Sequence, residues 1–250
     1  SHTFYSCTNL TNVIIPNSIT SIEKSAFSNC TNLVSVTIPD SVTSIAGDAF
    51  DRTPWLRMQG DFPIINGILL KYQGKGGDVT IPSSVASIGS NAFSGCNELT
   101  NIIIPNGVTH IGDDAFYGCS GLTNITVPDG VTSIGESAFC ACSGLTSLTI
   151  PSSVTSVGDS DGGGVFGGCK KLLSAGPIGG NYNLKFGWTN KLPYKVFEGS
   201  CLESITIPNG VTTIKQDSFD CDSMTSLIMP NSVTNIEWAA FYRSINLKDV

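Results

Sequence analysis

Proline and phenylalanine recur along this chain at a fixed distance. Prolines at 16 and 39, and again at 82, 105, 128 and 151, are 23 residues apart, while Pro208 and Pro230 are 22 apart. Ten phenylalanines share one place in the motif, eleven residues after most of these prolines: Phe4, Phe27, Phe50, Phe93, Phe116, Phe139, Phe166, Phe197, Phe219 and Phe241. A period of roughly 20–50 residues indicates a repeat architecture, in which each unit buries its apolar face by stacking on its neighbours.

Each repeat unit combines a strand pattern with a helix-like pattern. A well-formed unit runs from Cys96 to Cys119 as CNELTNIIIPNGVTHIGDDAFYGC. In the next unit, Ile125 and Val127 alternate with polar residues, which predicts a short strand that ends at Pro128, because proline cannot donate to a ladder. The later apolar residues (Ile134, Ala138, Phe139 and Cys142) have the spacing of one face of a short helix. We therefore predict a coil made of a strand, a turn and a short α or 3₁₀ segment.

The repeat resembles a known family. The segment LVSVTIPDSVTSIAGDAF, from Leu33 to Phe50, is similar to the BspA-like leucine-rich repeats. The resemblance implies an α/β repeat fold: a right-handed solenoid with a parallel sheet on its concave face and short helical or 3₁₀ segments. It also implies a bacterial protein at the cell surface or secreted, which adheres to a host extracellular-matrix protein, a glycan or another microbial surface protein.

The repeat covers residues 1–250 as one predicted solenoid with two insertions. Both ends fall inside a repeat, so we expect a fragment of a longer protein whose signal and anchor lie elsewhere. The first insertion, at about residues 54–78, holds Asn66-Gly67 between two apolar runs, which predicts a self-contained β-hairpin that is inserted into, or extends, one coil. Its aromatic residues Trp55 and Tyr72 are candidate binding residues, but weaker candidates than those of the second insertion.

The second insertion, residues 170–196, is basic and aromatic, and we call it the basic island. It carries five lysines and no Asp or Glu, so its charge is +5 and the rest of the chain sums to −12. Insertions in solenoids often carry binding sites. The predicted binding residues are Tyr182, Lys185, Phe186, Trp188, Lys191, Tyr194 and Lys195, which suit an anionic glycan or an acidic protein segment. Alternatively, these aromatics fill irregular coils and the lysines are only solvated.

The outward residues of the predicted strands form a row of small, almost uncharged side chains. They are Asn12/Ile14, Ser35/Thr37, Asp78/Thr80, Asn101/Ile103, Asn124/Thr126, Ser147/Thr149, Ser174/Gly176, Ser204/Thr206 and Ser226/Ile228. Serine and threonine suit exposed strands and keep a sheet soluble. The same row could also offer a hydrogen-bonding surface to a glycan or an extended peptide.

Six of the nine cysteines share one place in the repeat, three residues after the phenylalanine. We expect this column to lie inside the coils, where cysteine acts as a small apolar residue. Strand spacing of about 4.8 Å would allow disulfides between coils. Thr53 and Ser244 occupy the same place, however, so the fold does not need bridges and we predict free thiols.

The sequence favours binding over catalysis. His110 beside Asp113 and Asp114 occupies a slot that holds serine in other repeats, and no acid–base, nucleophile or metal-ligand set accompanies it. We predict no enzyme activity, no cofactor and no metal site. The net charge of −7 disfavours nucleic acid, and no apolar run could cross a membrane. The predicted function is a non-enzymatic cell-surface adhesion module, and the alternative is a passive spacer that presents another domain.

Overall fold

The chain forms a solenoid of stacked coils held together by parallel strands. The structure is a computed structural model that describes residues 2–151, 153–158, 164–172, 174–175, 191–192, 195–200, 202–207 and 210–250, with only the backbone at 174–175 and 191–192. Strands of successive coils pair in register, so Asn124 lies beside Ser147 one repeat later. Two sets of parallel strands, and a third side made of turns, enclose the core.

The first set of strands, here called the first ladder, is the one that precedes each repeat proline. Its strands pair within four short sheets, with an irregular register where Gly77 and Asp78 meet the next coil. They are β1 Asn12–Ile14, β3 Ser35–Thr37, β7 Gly77–Thr80, β9 Leu99–Ile103, β11 Asn124–Thr126, β13 Ser147–Thr149, β15 Ser174–Ala175, β17 Ser204–Thr206 and β19 Ser226–Ile228. This ladder confirms the predicted parallel strands.

The second set, the second ladder, consists of two-residue strands that follow the proline turn. They are β2 Ser21–Ile22, β4 Ser44–Ile45, β5 Ile64–Ile65, β6 Ile68–Leu69, β8 Ser87–Ile88, β10 His110–Ile111, β12 Ser133–Ile134, β14 Ser156–Val157, β16 Lys191–Leu192, β18 Thr213–Ile214 and β20 Asn235–Ile236. In each complete coil one residue faces out and an apolar residue faces the core, as at His110 and Ile111. Apart from β5 and β6 of the first insertion, these strands were not predicted from the sequence.

The third side of each coil is a run of turns. In the described residues the one helix is α1, Pro54–Arg57, in the first insertion. In most coils the backbone has positive φ two residues before and two after the repeat phenylalanine, as at Asp114 (φ 54°) and Gly118 (φ 70°) around Phe116. These left-handed residues interrupt any helix, and the Phe116 N–H donates instead to the carbonyl of Ala138 in the next coil. The predicted short helices are therefore turns, while right-handed winding and a concave sheet stay predictions.

The core is a stack of aromatic rings surrounded by aliphatic side chains. Consecutive repeat phenylalanines stack on one another, with ring centroids 5.3 Å apart for Phe116 and Phe139 and interplanar angles between 3° and 21°. The phenylalanines at 50, 93, 116, 139, 166, 197 and 219 are at most 1% exposed. Inward Leu, Ile and Val of both ladders surround them. Each coil thus buries its phenylalanine only between its two neighbours.

The first insertion adds to the stack of coils. The predicted hairpin is confirmed: β5 and β6 pair antiparallel around Asn66 and Gly67, both at positive φ. It is not self-contained, however, because β6 also pairs in parallel with β8 as a strand of the second ladder. The Asn66 side-chain amide donates to the carbonyls of Pro39 (2.9 Å) and Val42 (3.0 Å), which fixes the hairpin to the preceding coil. Stacking on the neighbouring coils buries the apolar residues of the hairpin. This burial makes the stacked arrangement lower in free energy than an isolated hairpin.

The left-handed turn positions lead to a stability prediction. Gly118 has open space where a Cβ would stand, so replacing it with alanine introduces only backbone strain. We expect Gly118→Ala to lower the free energy of unfolding by about 1 kcal/mol, and Ala141→Gly, at φ 59°, to raise it by about 0.5 kcal/mol. Urea denaturation followed by circular dichroism measures both.

Gly107→Ala is the control for this prediction. Gly107 does not have positive φ, and its Cβ would make only ordinary contacts at 3.8–3.9 Å. The control should be neutral or slightly stabilising. Equal losses for Gly107→Ala and Gly118→Ala would rule out φ as the cause.

Candidate binding surface

The first ladder presents the predicted row of small polar side chains. Its outward residues are exposed or partly exposed wherever their side chains are described, and Gly176 lies outside the described residues. Three isoleucines interrupt the row: Ile14, Ile103 and Ile228 are 71%, 56% and 63% exposed. They lie in separate coils, so they do not form a continuous apolar patch.

Threonine hydroxyls beside both ladders are used within the fold. On the second ladder, Thr132 Oγ1 donates to the Thr109 carbonyl one coil earlier at 3.2 Å, and Thr109 does the same to Ala86. On the first, Thr146 Oγ1 donates to the Thr123 carbonyl at 3.0 Å. The abundance of threonine therefore has a structural explanation. Ligand hydrogen bonds would have to come from other side chains, such as the serine, asparagine and threonine residues of the outward row.

A shallow groove of about 410 Å³ crosses the second ladder over several coils. Its floor is a column of glycines that includes Gly112 and Gly135, where a Cβ would stand 2.4–2.5 Å from the backbone of the preceding coil. His110 lines the groove, and its Nδ1 lies 2.7 Å from the Thr109 hydroxyl. Asp113 also lines it, but its Oδ1 accepts from the backbone N–H of Glu136 at 2.9 Å. Close packing of the coils explains the glycines, and His110 has no carboxylate partner among the residues that the structure describes.

The basic island lies mostly outside the described residues. This applies to Tyr182, Lys185, Phe186, Trp188 and Tyr194. Lys191 is described by its backbone alone, in β16, where it pairs with Thr213 of β18. Lys195 donates to Glu198 Oε1 at 2.8 Å. The charge of Lys195 is thus partly compensated within the chain.

Trp55 and Tyr72 of the first insertion belong to the core side of the solenoid. Trp55, in α1, is 6% exposed and lies against Phe50 with ring centroids 4.6 Å apart. Tyr72 stacks on Phe93 at 5.2 Å and thereby takes the place of a repeat phenylalanine. Both rings thus have a role in the ring stack, and a binding role for Trp55 and Tyr72 stays a prediction.

Two exposed aromatic residues escaped the sequence analysis. Trp238 is 78% exposed and Tyr242 is 58% exposed, on the turn side of one coil. Trp238 stands in a slot that holds Lys24 or Asp113 in other repeats. In the sequence, the signal that could have identified this surface is an aromatic residue at a repeat position that is otherwise polar. Tryptophan and tyrosine are the residue types that most often dominate binding energy at interfaces.

The described residues contain no group of three or more His, Cys, Asp or Glu side chains placed to hold a metal ion. Some acidic groups are perturbed without forming a site. Burial raises the pKa of Asp114, and so do the nearby Asp113 and Glu136, while Lys24 opposes the shift.

No helix in the described part of the chain is long and apolar enough to span a membrane.

The cysteine column joins neighbouring coils by hydrogen bonds. The Cys119 thiol donates to the Phe93 carbonyl one coil earlier at 3.1 Å, and Cys142 and Cys169 make the same contact. The Ser244 hydroxyl does so as well, at 2.9 Å. The eight cysteines that the structure describes are free, which confirms the prediction for them; Cys7 is exposed and Cys96 partly so. The column thus supplies small donors as well as apolar volume.

The buried thiols predict loss of stability at high pH. Burial raises the pKa of Cys96 from 9.0 to about 11 and that of Cys169 to about 12. In the unfolded chain these thiols ionise near 9, so their contribution to stability is complete below that pH and is lost as pH rises toward 11–12. We expect the urea midpoint to fall over this range. In a Cys96→Ser/Cys169→Ser variant the urea midpoint should fall less steeply with pH. If the midpoint falls as steeply as in the wild type, these two thiols are not the cause.

A family comparison identifies the repeat. The model for the BspA type leucine-rich repeat region matches residues 1–58, 70–175 and 184–250 in six copies. The chain belongs to the BspA-type leucine-rich repeat family. The unmatched residues 59–69 and 176–183 fall within the two insertions, so this BspA-type chain departs from its family where the repeat spacing breaks.

Solved structures of bacterial leucine-rich repeat proteins are similar to this BspA-type chain. A leucine rich cell surface protein from Faecalibacterium prausnitzii is 28% identical, with a TM-score of 0.52; the match covers 100% of this chain and 61% of that protein. The T. pallidum leucine-rich repeat protein is 26% identical, with a TM-score of 0.57, over 75% of this chain and 87% of its own. A protein from Eubacterium ventriosum, 24% identical with a TM-score of 0.57 over 97% of this chain and 79% of its own, shares the fold. A comparison with curated proteins found no similar sequence.

Proposed function

We propose that this chain is a non-catalytic adhesion module at a bacterial cell surface, which binds a host matrix protein, a glycan or another microbial surface protein. The observation that carries this proposal is the pair of parallel ladders, which repeat the same small outward side chains in coil after coil. Such an extended surface suits the recognition of large partners. The similar Faecalibacterium protein is described as a cell surface protein, which supports the location.

Specificity in this proposal comes from residues that depart from the repeat. The small polar rows lack the Trp, Tyr and Arg side chains that usually dominate binding energy. The basic island supplies lysines and aromatics in sequence, and Trp238 with Tyr242 supplies exposed rings. Regular coils then act as the scaffold that holds these segments in fixed positions.

The test compares binding to arrays of matrix proteins and glycans, sulfated glycans included. The wild type is expected to bind, and Lys185→Glu/Lys191→Glu is expected to lose that binding. Lys195 is left unchanged because it pairs with Glu198. The matched control is Lys75→Glu/Lys248→Glu, which makes the same change of charge at two exposed lysines outside the island. Absence of wild-type binding, or equal loss in both variants, would overturn the role of the island.

The second candidate is a passive spacer. The favouring observation is that the described outward rows of the first ladder contain no aromatic or arginine side chain. A spacer should bind nothing on the arrays in any variant. Selective loss in Lys185→Glu/Lys191→Glu would exclude this candidate.

A further inference from the structure

The turn after each repeat proline carries an asparagine in several coils. In three described coils it reads Pro16-Asn17-Ser18, Pro105-Asn106-Gly107 and Pro230-Asn231-Ser232, and the backbone closes the same way in each. The residue three places after the proline donates its N–H to the proline carbonyl at 3.0–3.1 Å. All three asparagines are exposed. Among these three turns, the residue after the asparagine is glycine only at Gly107.

Glycine 107 is not required by the fold. Its φ is not positive, and an added Cβ would lie 3.8 Å from the Val85 carbonyl oxygen and 3.9 Å from that of Ser83. Its N–H has no hydrogen-bond partner in the described part of the chain. Glycine also lets the backbone move more freely than serine does. A side-chain amide and an unhindered backbone nitrogen thus stand next to each other in solvent.

We propose that Asn106 is a site of spontaneous deamidation and isoaspartate formation. The Gly107 backbone nitrogen attacks Asn106 Cγ and closes a five-membered succinimide. The Asn106 amide nitrogen leaves as ammonia, which takes up the proton that the Gly107 nitrogen releases. Water then opens the ring at either carbonyl, which gives aspartate or isoaspartate with no change of oxidation state.

The fold distinguishes this site from the other asparagine–glycine pair in the described turns. Asn66 precedes Gly67, but its amide donates to two carbonyls of the preceding coil, at 2.9 and 3.0 Å. The Gly67 carbonyl accepts from the N–H groups of Ala86 and Ser87. Attack of the Gly67 nitrogen on Asn66 Cγ would therefore require these hydrogen bonds to break. Asn209 also precedes a glycine, Gly210, and lies outside the described residues.

The two products should have different effects on the solenoid. Asp40 and Asp129 occupy the same slot in other coils, so aspartate at 106 is compatible with the fold. Isoaspartate adds a methylene to the backbone of the turn. The Asn106 carbonyl oxygen already lies 2.5 Å from the place of a Cβ on Gly130 in the next coil, so the longer backbone has little room. Isoaspartate should therefore disturb the stacking of these two coils.

The experiment is peptide mapping by mass spectrometry after incubation of the intact folded chain at mildly alkaline pH, with an isoaspartyl methyltransferase as the probe for isoaspartate. Asn106 is expected to convert about tenfold faster than Asn17 and Asn231, because serine hinders the attacking nitrogen. Gly107→Ser should slow Asn106 to their rate without changing the melting temperature. Asn66 should convert more slowly than Asn106 in the folded chain, and at a similar rate after unfolding in urea.

Conversion of Asn106 no faster than that of Asn17, or an unchanged rate in Gly107→Ser, would overturn the proposal. Equal rates for Asn66 and Asn106 in the folded chain would overturn the protection assigned to the Asn66 hydrogen bonds. None of these readouts depends on the adhesion partner, so failure here and failure of the adhesion proposal are separate results.

Discussion

Replacing Phe139 with alanine is expected to lower the free energy of unfolding by about 3–5 kcal/mol. The ring is fully buried and stacks between Phe116 at 5.3 Å and Phe166 at 5.7 Å. Alanine would remove the apolar area of one ring and leave a cavity between two others, which are held apart by the hydrogen bonds between coils. Urea denaturation followed by circular dichroism measures the loss.

Phe241→Ala is the matched control for Phe139→Ala. Phe241 occupies the same slot but is only partly buried, and its one stacking contact with a described ring is with Phe219, at 5.3 Å. Since less area is buried, the loss should be clearly smaller. Equal losses would show that the stack does not stabilise the solenoid ring by ring. It would then be wrong to describe the stability of the solenoid as a sum of contributions from each coil and from its contacts with adjacent coils.

The sequence was sufficient to predict the first ladder and the burial of the apolar repeat residues between stacked coils. Strict alternation around Ile125 and Val127 identified a strand, and the recurrence of Phe116 and Phe139 identified a buried column. The second ladder was missed because its strands have two residues, too few for a period of two to be visible. Only comparison of successive repeats, such as Ser133-Ile134 against Ser156-Val157, reveals them.

The helical prediction failed for a different reason. Apolar residues at Ile134, Ala138 and Phe139 all face inward because the chain bends around the core, which gives helix-like spacing without a helix. Hydrogen bonds to the next coil, such as Phe139 N–H to the Val165 carbonyl, replace bonds along the chain. Ser137 and Ala141, at φ 50° and 59°, are ordinary residues in left-handed conformation. Tertiary hydrogen bonding outweighed local propensity at these positions, and local sequence does not report it.

The candidate binding residues could be predicted only in part. The alternation of apolar and polar residues predicted the exposed rows on the first ladder. It did not predict whether each aromatic residue is buried or exposed. Both Trp55 and Trp238 break the repeat, yet one fills a gap in the ring stack and the other faces solvent. The difference arises because β6 of the first insertion pairs with β8 and makes the insertion part of the stack of coils. That pairing depends on contacts between coils and not on local sequence.

Trp55→Ala and Trp238→Ala should therefore have opposite consequences. Trp55 is 6% exposed and covers Phe50 at 4.6 Å, so its removal is expected to cost about 3–5 kcal/mol of stability. Trp238 is 78% exposed, and its removal should change stability by no more than about 0.5 kcal/mol. Urea denaturation measures the stability of both variants, and arrays of matrix proteins and glycans measure their binding under conditions where both are folded. If Trp238 contacts a partner, its variant loses affinity while remaining stable, and folded Trp55→Ala keeps affinity. A stable Trp55→Ala variant with lost affinity would place the binding surface on the first insertion after all.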